Sequence, residues 1–347
     1  MEKIDEKYMW RALQLARCGA GRVSPNPMVG AVVVHDGTII GEGFHRCFGQ
    51  GHAEVNAIAS VRRRELLTES TIYVTLEPCS HYGKTPPCAK LIIDTGIPRV
   101  VVGCLDPFAA VSGRGVAMLR QAGVQVEVGV LEQQCRHLNR RFITAHSTGL
   151  PWVQLKWAQT ADGFIAGPAG GEAPLHISSP VTLRLMHRQR AWCDAIVVGA
   201  STVTADDCAL TTRLWPGRSP LRVVLDRRQS IPSGSRLLTD GLPTVVYNAT
   251  RTERCGAVEW VALPTDDPRS WLRDLYGRGV TSVMVEGGRQ VLQQLIDAGT
   301  WQEARVETGP RTVGDGVPAP HIQGTPVASY RIGLGQVDYL QNQVKKV

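Results

Sequence analysis

Long apolar runs are missing from this chain of 347 residues. No stretch approaches the ~20 apolar residues that a membrane-spanning helix needs. The first helical pattern, Glu6 to Arg17, is amphipathic and charged where a secretory signal would be apolar. Both absences predict a cytoplasmic protein with no membrane partner. Aromatic residues make up only 6%, and no basic stretch is interleaved with them as a base-stacking platform would require. The net charge of +7 is therefore assigned to the handling of phosphorylated metabolites, not nucleic acid. The densest basic run, Arg62-Arg63-Arg64, reads as a solvated helix end. No G-x-G-x-x-G occurs, so a Rossmann dinucleotide site is unsupported. Repeats and low-complexity tracts are also lacking.

What is there is ordinary globular material: 43% hydrophobic and 20% charged residues, in a length that suits two domains. Nine cysteines without a secretory signal indicate a reducing compartment. Seven of them (Cys18, Cys47, Cys104, Cys135, Cys193, Cys208 and Cys255) are scattered and read as small buried hydrophobes.

The other two belong to a constellation. His52-Ala53-Glu54 is followed by Glu77-Pro78-Cys79 and by Pro87-Cys88. An imidazole and two thiolates supply three zinc donors and leave a fourth position for water, as in catalytic sites. Zinc lowers the pKa of such a water toward neutrality. Glu54, two residues beyond the histidine, can move protons without binding the metal. In zinc deaminases this set attacks the amino-bearing carbon of a nucleobase. Gly51 to Ala59 reads as a helix start, Thr71 to Leu76 as a buried strand, and Cys88 to Thr95 as a second helix opened by Pro86-Pro87 and closed by Gly96. The metal is thus expected between two helix N-termini. Nucleic-acid deaminases space their cysteines as Cys-x-x-Cys, whereas here Ser80 to Pro87 intervenes. That loop brings His81 and Lys84 to the mouth of the pocket, where they can hold a substrate phosphate.

The string Glu77-Pro78-Cys79-Ser80-His81-Tyr82-Gly83-Lys84-Thr85-Pro86-Pro87-Cys88 resembles the signature of the bifunctional riboflavin-biosynthesis deaminase–reductases. Ser24-Pro25-Asn26-Pro27-Met28-Val29-Gly30 and Gly41-Glu42-Gly43-Phe44-His45 are also similar to that family, as are Gly113-Arg114-Gly115 and Leu138-Asn139-Arg140-Arg141-Phe142. The similarity covers nearly the whole chain. It implies diaminohydroxyphosphoribosylaminopyrimidine as the substrate, Glu54 as proton shuttle, and His52, Cys79 and Cys88 as ligands of Zn2+. It places Asn26, His45, His81 and Lys84 around the substrate. Phe108 departs from the family's Asp-Pro-Asn-Pro stretch.

The expected architecture is α/β: an N-terminal cytidine-deaminase-like αβα domain (1–146), then a dihydrofolate-reductase-like α/β domain (151–347), both family folds being what the resemblance implies. The first holds a helix at about 6–18, a hairpin turning at Asp36-Gly37, and alternating helices and strands to Val128, which imply a mixed sheet. Thr144 to Pro151 reads as the linker. In the second half, strand patterns lie at Trp152 to Ala158, Ala195 to Gly199, Leu221 to Asp226, Pro243 to Tyr247 and Ser282 to Val285, with a helix at Pro180 to Arg190. Val285-Glu286-Gly287-Gly288 before a helix is a possible phosphate cradle.

By resemblance the second half is an NADPH-dependent reductase of 5-amino-6-(5-phosphoribosylamino)uracil. Ala158, His176, Thr202, Asp206 and Gly288 would touch the cofactor. Lys156, Arg190, Leu210, Arg213 and Glu286 would touch the substrate, with Arg190 and Arg213 clamping anionic groups. His176, Pro174 and Cys208 replace family residues here. Dimers or larger homo-oligomers are implied. The rival readings are a tRNA or nucleoside deaminase with an accessory domain, a zinc-stapled binding module, and a deaminase with a silent reductase.

Overall fold

The computed structural model describes residues 2–81, 86–107, 112–168 and 175–343. The chain divides into two compact units, Met1–Gly149 and Leu150–Val347.

In the first unit α1 (Glu2–Arg17) precedes the hairpin β1 (Gly30–His35) and β2 (Thr38–Phe44). Then come α2 (Ala53–Ser60), β3 (Thr71–Leu76), α3 (Cys88–Asp94), β4 (Arg99–Cys104), α4 (Arg114–Gln121), β5 (Gln125–Val128), α5 (Glu132–Leu138) and α6 (Arg140–Thr148). The sheet order is β2-β1-β3-β4-β5, with β1 antiparallel to both neighbours and β3, β4 and β5 parallel. Strand alternation sorts the core into two layers. Ala31, Val33, Ile72, Val74, Val100 and Val102 face a cluster that includes Ala57, Ile92 and Leu119 of the helices on one side. Val32, Val34, Tyr73 and Val101 face Met9 and Leu13 of α1 on the other. The hairpin turns at Asp36 and Gly37, whose φ values of 44° and 69° are those of a tight two-residue turn.

The two units divide inside the expected linker at Thr144 to Pro151, between Gly149 and Leu150, but most of that stretch is not a loop. Residues to Thr148 are helical, and the break comes at Gly149, in the left-handed region at φ 67°. Ala145 is fully buried, so tertiary packing outweighs the small and polar residues that read as a breaker. The helix pair α5 and α6 has no counterpart in the pattern reading.

The second unit is built on a ten-stranded sheet. Its elements are β6 (Trp152–Gln159), β7 (Phe164–Ala166), α7 (Pro180–Trp192), β8 (Ala195–Gly199), α8 (Ala200–Asp206), β9 (Leu221–Leu225), α9 (Arg236–Thr239), β10 (Thr244–Asn248), β11 (Glu253–Cys255) and β12 (Val258–Ala262). They continue with α10 (Pro268–Gly277), β13 (Ser282–Gly287), α11 (Arg289–Asp297), β14 (Glu303–Thr308), β15 (Val317–Pro318), β16 (Thr325–Ile332) and β17 (Gly335–Gln341). The order is β11-β12-β10-β9-β8-β13-β6-β14-β17-β16. Its centre is parallel, and the β16–β17 hairpin is added antiparallel at one edge. The parallel strands read as continuous apolar runs because both faces are covered. The hairpin, half exposed and mixed in composition, has no such signature.

Four cysteines outside the zinc motif depart from the buried reading. Cys18 and Cys255 are exposed, and Cys47 and Cys208 are half-buried.

Candidate active sites

Two helix starts and one strand end converge in the first unit. His52 is the N-cap of α2, Cys79 follows β3, and Cys88 opens α3. Packing of α2 onto β2 is tight at Gly43, where a Cβ would come within 2.3 Å of the Ala57 backbone nitrogen. His52 Nδ1 lies 3.6 Å from Cys79 Sγ and 3.4 Å from Cys88 Sγ. All three donor atoms fall within 4.8 Å of one another. A tetrahedral zinc with ordinary Zn–S and Zn–N bonds requires N···S edges of about 3.5 Å, so the donor set fits that ion. The Cys88 backbone N–H donates to Cys79 Sγ at 3.3 Å, which favours a thiolate there. Hydrogen bonds from Cys88 and His52 push the Cys79 thiol down against the effect of burial, while Cys88, buried beside Cys79, is pushed up.

Glu54 is buried beside these donors. Desolvation, then the charge of Cys79, raises its carboxyl to about 7. It is therefore poised to take and return a proton near neutral pH. His45 is buried, and desolvation lowers its pKa. Its Nδ1 faces the Gly51 carbonyl at 3.2 Å and its Nε2 faces Asn26 Nδ2 at 3.2 Å. The network assigns a neutral ring that donates from Nδ1 and accepts from Asn26 at Nε2.

These groups line a cavity of about 340 Å³. Asn26, His45, His52, Glu54, Cys79 and the exposed His81 all border it, so six residues of the expected set meet here. Lys84 and Phe108 lie outside the described residues. Three further lining residues, Asp106, Phe142 and His146, received no site role from sequence. For the last two the available signal was an i, i+4 aromatic pair on one helix face.

In the second unit the expected residues fall into separate neighbourhoods. Arg190 on α7 meets Glu286 on β13 in a bidentate ion pair, Nε to Oε1 at 2.7 Å and Nη2 to Oε2 at 2.6 Å. Burial would raise the Glu286 carboxyl, but Arg190, and after it Lys156, bring it down to about 2. Desolvation lowers the Lys156 pKa, with Glu286 opposing. Of the two arginines expected to clamp anions, Arg190 is thus neutralised within the protein, and its Nη1 donates to the Thr211 carbonyl at 3.0 Å. Arg213 is exposed; its Nη1 donates to Thr211 Oγ1 at 3.2 Å and its backbone N–H to His187 Nδ1 at 3.0 Å. Leu210 is buried in the same loop.

Gly288 caps α11 and borders a cavity of about 530 Å³ at the carboxyl ends of parallel strands β8, β9 and β13, where open α/β sheets take ligands. A Cβ on Gly288 would lie 3.3 Å from Thr202 Oγ1, so those two expected residues adjoin. Asp206 lies at the far end of the same helix as Thr202. Arg227 and Arg228, absent from the sequence-based set, line this cavity as well; their signal was a basic pair directly after an apolar strand. Ala158 pairs with Glu307 across β6 and β14. His176 borders a different cavity, of about 320 Å³, with Thr182 and Glu307.

A zinc-type deaminase unit followed by an α/β reductase unit is the class that this fold and these sites define. The cytidine and deoxycytidylate deaminase zinc-binding region matches residues 2–104, and the RibD C-terminal domain matches residues 151–345. The chain belongs to the RibD family, the bifunctional deaminase–reductases of riboflavin biosynthesis. It is 39% identical over 324 residues to the riboflavin biosynthesis protein RibD of Aquifex aeolicus, covering 91% of this chain and 90% of that protein. A solved diaminohydroxyphosphoribosylaminopyrimidine deaminase/5-amino-6-(5-phosphoribosylamino)uracil reductase from Thermotoga maritima is 38% identical, with a TM-score of 0.89 over 98% of this chain and 99% of that one. RibD of Acinetobacter baumannii (form 1) is 32% identical, with a TM-score of 0.91 over 98% and 99% of the two chains.

Proposed function

We propose that residues 1–146 deaminate diaminohydroxyphosphoribosylaminopyrimidine and that residues 151–347 reduce the resulting 5-amino-6-(5-phosphoribosylamino)uracil. The observation that carries the first half is the His52, Cys79, Cys88 donor triangle with buried Glu54 beside it. Zinc held by these three residues supplies a water acidic enough to react at neutral pH. Glu54 would move a proton between water and the departing amine, which would leave as ammonia as water oxygen takes its place. Asn26 and neutral His45 orient the ring; His81 and Lys84 receive the phosphate end.

NADPH supplies the hydride for the second step. Gly288, with Thr202 beside it, would hold the cofactor, and Asp206, Ala158 and His176 are assigned to its site by the family resemblance. The bound cofactor would supply the hydride, and solvent the proton, that reduce C1 of the opened ribosyl group to the ribityl chain. Lys156, Leu210, Arg213 and the Arg190–Glu286 pair bind the substrate, with Arg190 orienting Glu286. The enzyme acts in the cytoplasm on small phosphorylated pyrimidines, as a homo-oligomer.

The test is one assay on the phosphoribosylaminopyrimidine that follows ammonia and NADPH together. Ammonia release with NADPH loss lagging behind it is expected. Ammonia alone would leave a deaminase with a silent reductase, and neither signal from zinc-loaded protein would overturn the substrate assignment.

A further inference from the structure

The deaminase pocket is built from two parts of different standing. Its reacting machinery, His52, Glu54, Cys79 and Cys88, lies within residues 2–104, the region shared with deaminases of other pyrimidines. Beyond residue 104 the cavity gains Asp106 and the two α6 residues Phe142 and His146. The shared part fixes where the amino-bearing carbon must sit, next to Glu54 and the metal ligands. With His81 and Lys84 assigned to the phosphate end, what remains for the added part to recognise is the sugar that joins that phosphate to the pyrimidine.

The added wall is shaped for that task. Phe142 and His146 stand one turn apart on α6, with ring centroids 4.4 Å apart and planes tilted by 58°. They offer an apolar face and a polar ring side by side, suited to a sugar with its carbons and hydroxyls. Burial lowers the His146 pKa, which favours a neutral hydrogen-bonding ring. The wall is also held firmly. Asn139, at the start of α6, bonds both backbone groups of Met28, in the segment that carries Asn26. A wall fixed to the opposite rim selects better than a mobile one, because less freedom is lost on binding.

We propose that Phe142 and His146 form the specificity wall of the deaminase site and bind the phosphoribosylamino arm of the substrate, Phe142 against the sugar carbons and His146 hydrogen-bonded to a sugar hydroxyl. This rests on the substrate reading given above. The test uses the full-length, zinc-loaded protein with two ligands: the phosphoribosylaminopyrimidine as substrate, and the same triaminopyrimidine without its arm as an inhibitor. In F142A and H146A, KM for the armed substrate should rise about tenfold. The inhibition constant of the armless pyrimidine should hold within about twofold. H146Q, which keeps a hydrogen-bonding group, should recover most of the loss, showing that folding is not the cause. Unchanged KM in both alanine variants, or equal losses for the two ligands, would overturn the wall. Wild-type protein that releases no ammonia from the armed substrate would instead remove the substrate reading, and this inference with it.

Discussion

Asn139 grips Met28 by both of its backbone polar groups. The Met28 N–H donates to Asn139 Oδ1 at 2.8 Å, and Asn139 Nδ2 donates to the Met28 carbonyl at 2.9 Å. Asn139 is 2% exposed, so water cannot replace either bond cheaply. Asn139→Ala should destabilise the N-terminal unit by about 1–3 kcal/mol, because both backbone groups of the half-buried Met28 lose their partner. Urea unfolding monitored in that unit measures it, and a change under about 0.5 kcal/mol would refute the role.

Glu54 gives a pH prediction whose sign is set by burial. Its carboxyl rises from 4.5 to about 7 in the fold, so the native state holds a proton that the unfolded chain has released over that window. This contribution to stability is present below about 4.5 and is lost as pH climbs through 7. Glu54→Gln removes the effect. In chelator-treated protein the variant should gain on wild type by about 3 kcal/mol between pH 4.5 and 8. A stability difference that does not vary with pH would show that Glu54 is not buried as described. With zinc restored, the same variant should lose about 100-fold or more in ammonia release.

The parts legible in sequence were those with a local cause. The hairpin at Asp36-Gly37 declares itself by turn chemistry, and β3 and β8 by apolar runs. The donors His52, Cys79 and Cys88 share motifs with their supporting elements. The α5–α6 pair was hidden because its polar and small residues, Ser147 and Gly149 among them, also spell a loop; burial of Ala145 is a tertiary fact. The β16–β17 hairpin was hidden because most of β16 faces solvent. The ion pair of Arg190 with Glu286 spans 96 positions, and no local rule announces it.

That ion pair is nearly sealed from solvent, with side chains 7% and 10% exposed. Arg190→Met would strip the buried Glu286 of its hydrogen-bonded partner and leave its charge to be offset by Lys156, at a cost of about 3 kcal/mol. The double variant Arg190→Met/Glu286→Met should recover part of this, because both members of the pair go together while Lys156 loses the carboxylate that opposes its desolvation. Glu286 sits near 2 in the fold against an ordinary 4.5, so its stabilising contribution is full above 4.5 and fades as pH falls toward 2. Acid unfolding of wild type and the double variant tests the sign: only wild type should lose this increment, about 3 kcal/mol, on the way down.

Glu77 makes the last prediction, because one carboxylate organises the ground beneath a zinc ligand. Its Oε1 accepts from the backbone N–H of Gly115 at 2.9 Å and Val116 at 3.2 Å. Its Oε2 accepts from Gly113 at 2.9 Å and Asp106 at 3.2 Å. Four donors converge on an acceptor-only group at the start of α4, where the helix dipole also favours negative charge. Gly115 permits the approach, since a Cβ there would fall 2.0 Å from the Pro78 carbonyl. Glu77→Gln turns an NH2 group toward two of those donors, which should cost about 2–4 kcal/mol in stability. Cys79 is only two residues away, so zinc affinity measured by chelator competition should fall about 10–100-fold in the same variant. Gly115→Ala strains the same Glu77-Pro78 turn from the other side. If Glu77 acts by fixing that turn, the two substitutions together should weaken zinc binding by clearly less than the product of their separate effects. Full multiplicativity would mean that they reach Cys79 by independent routes.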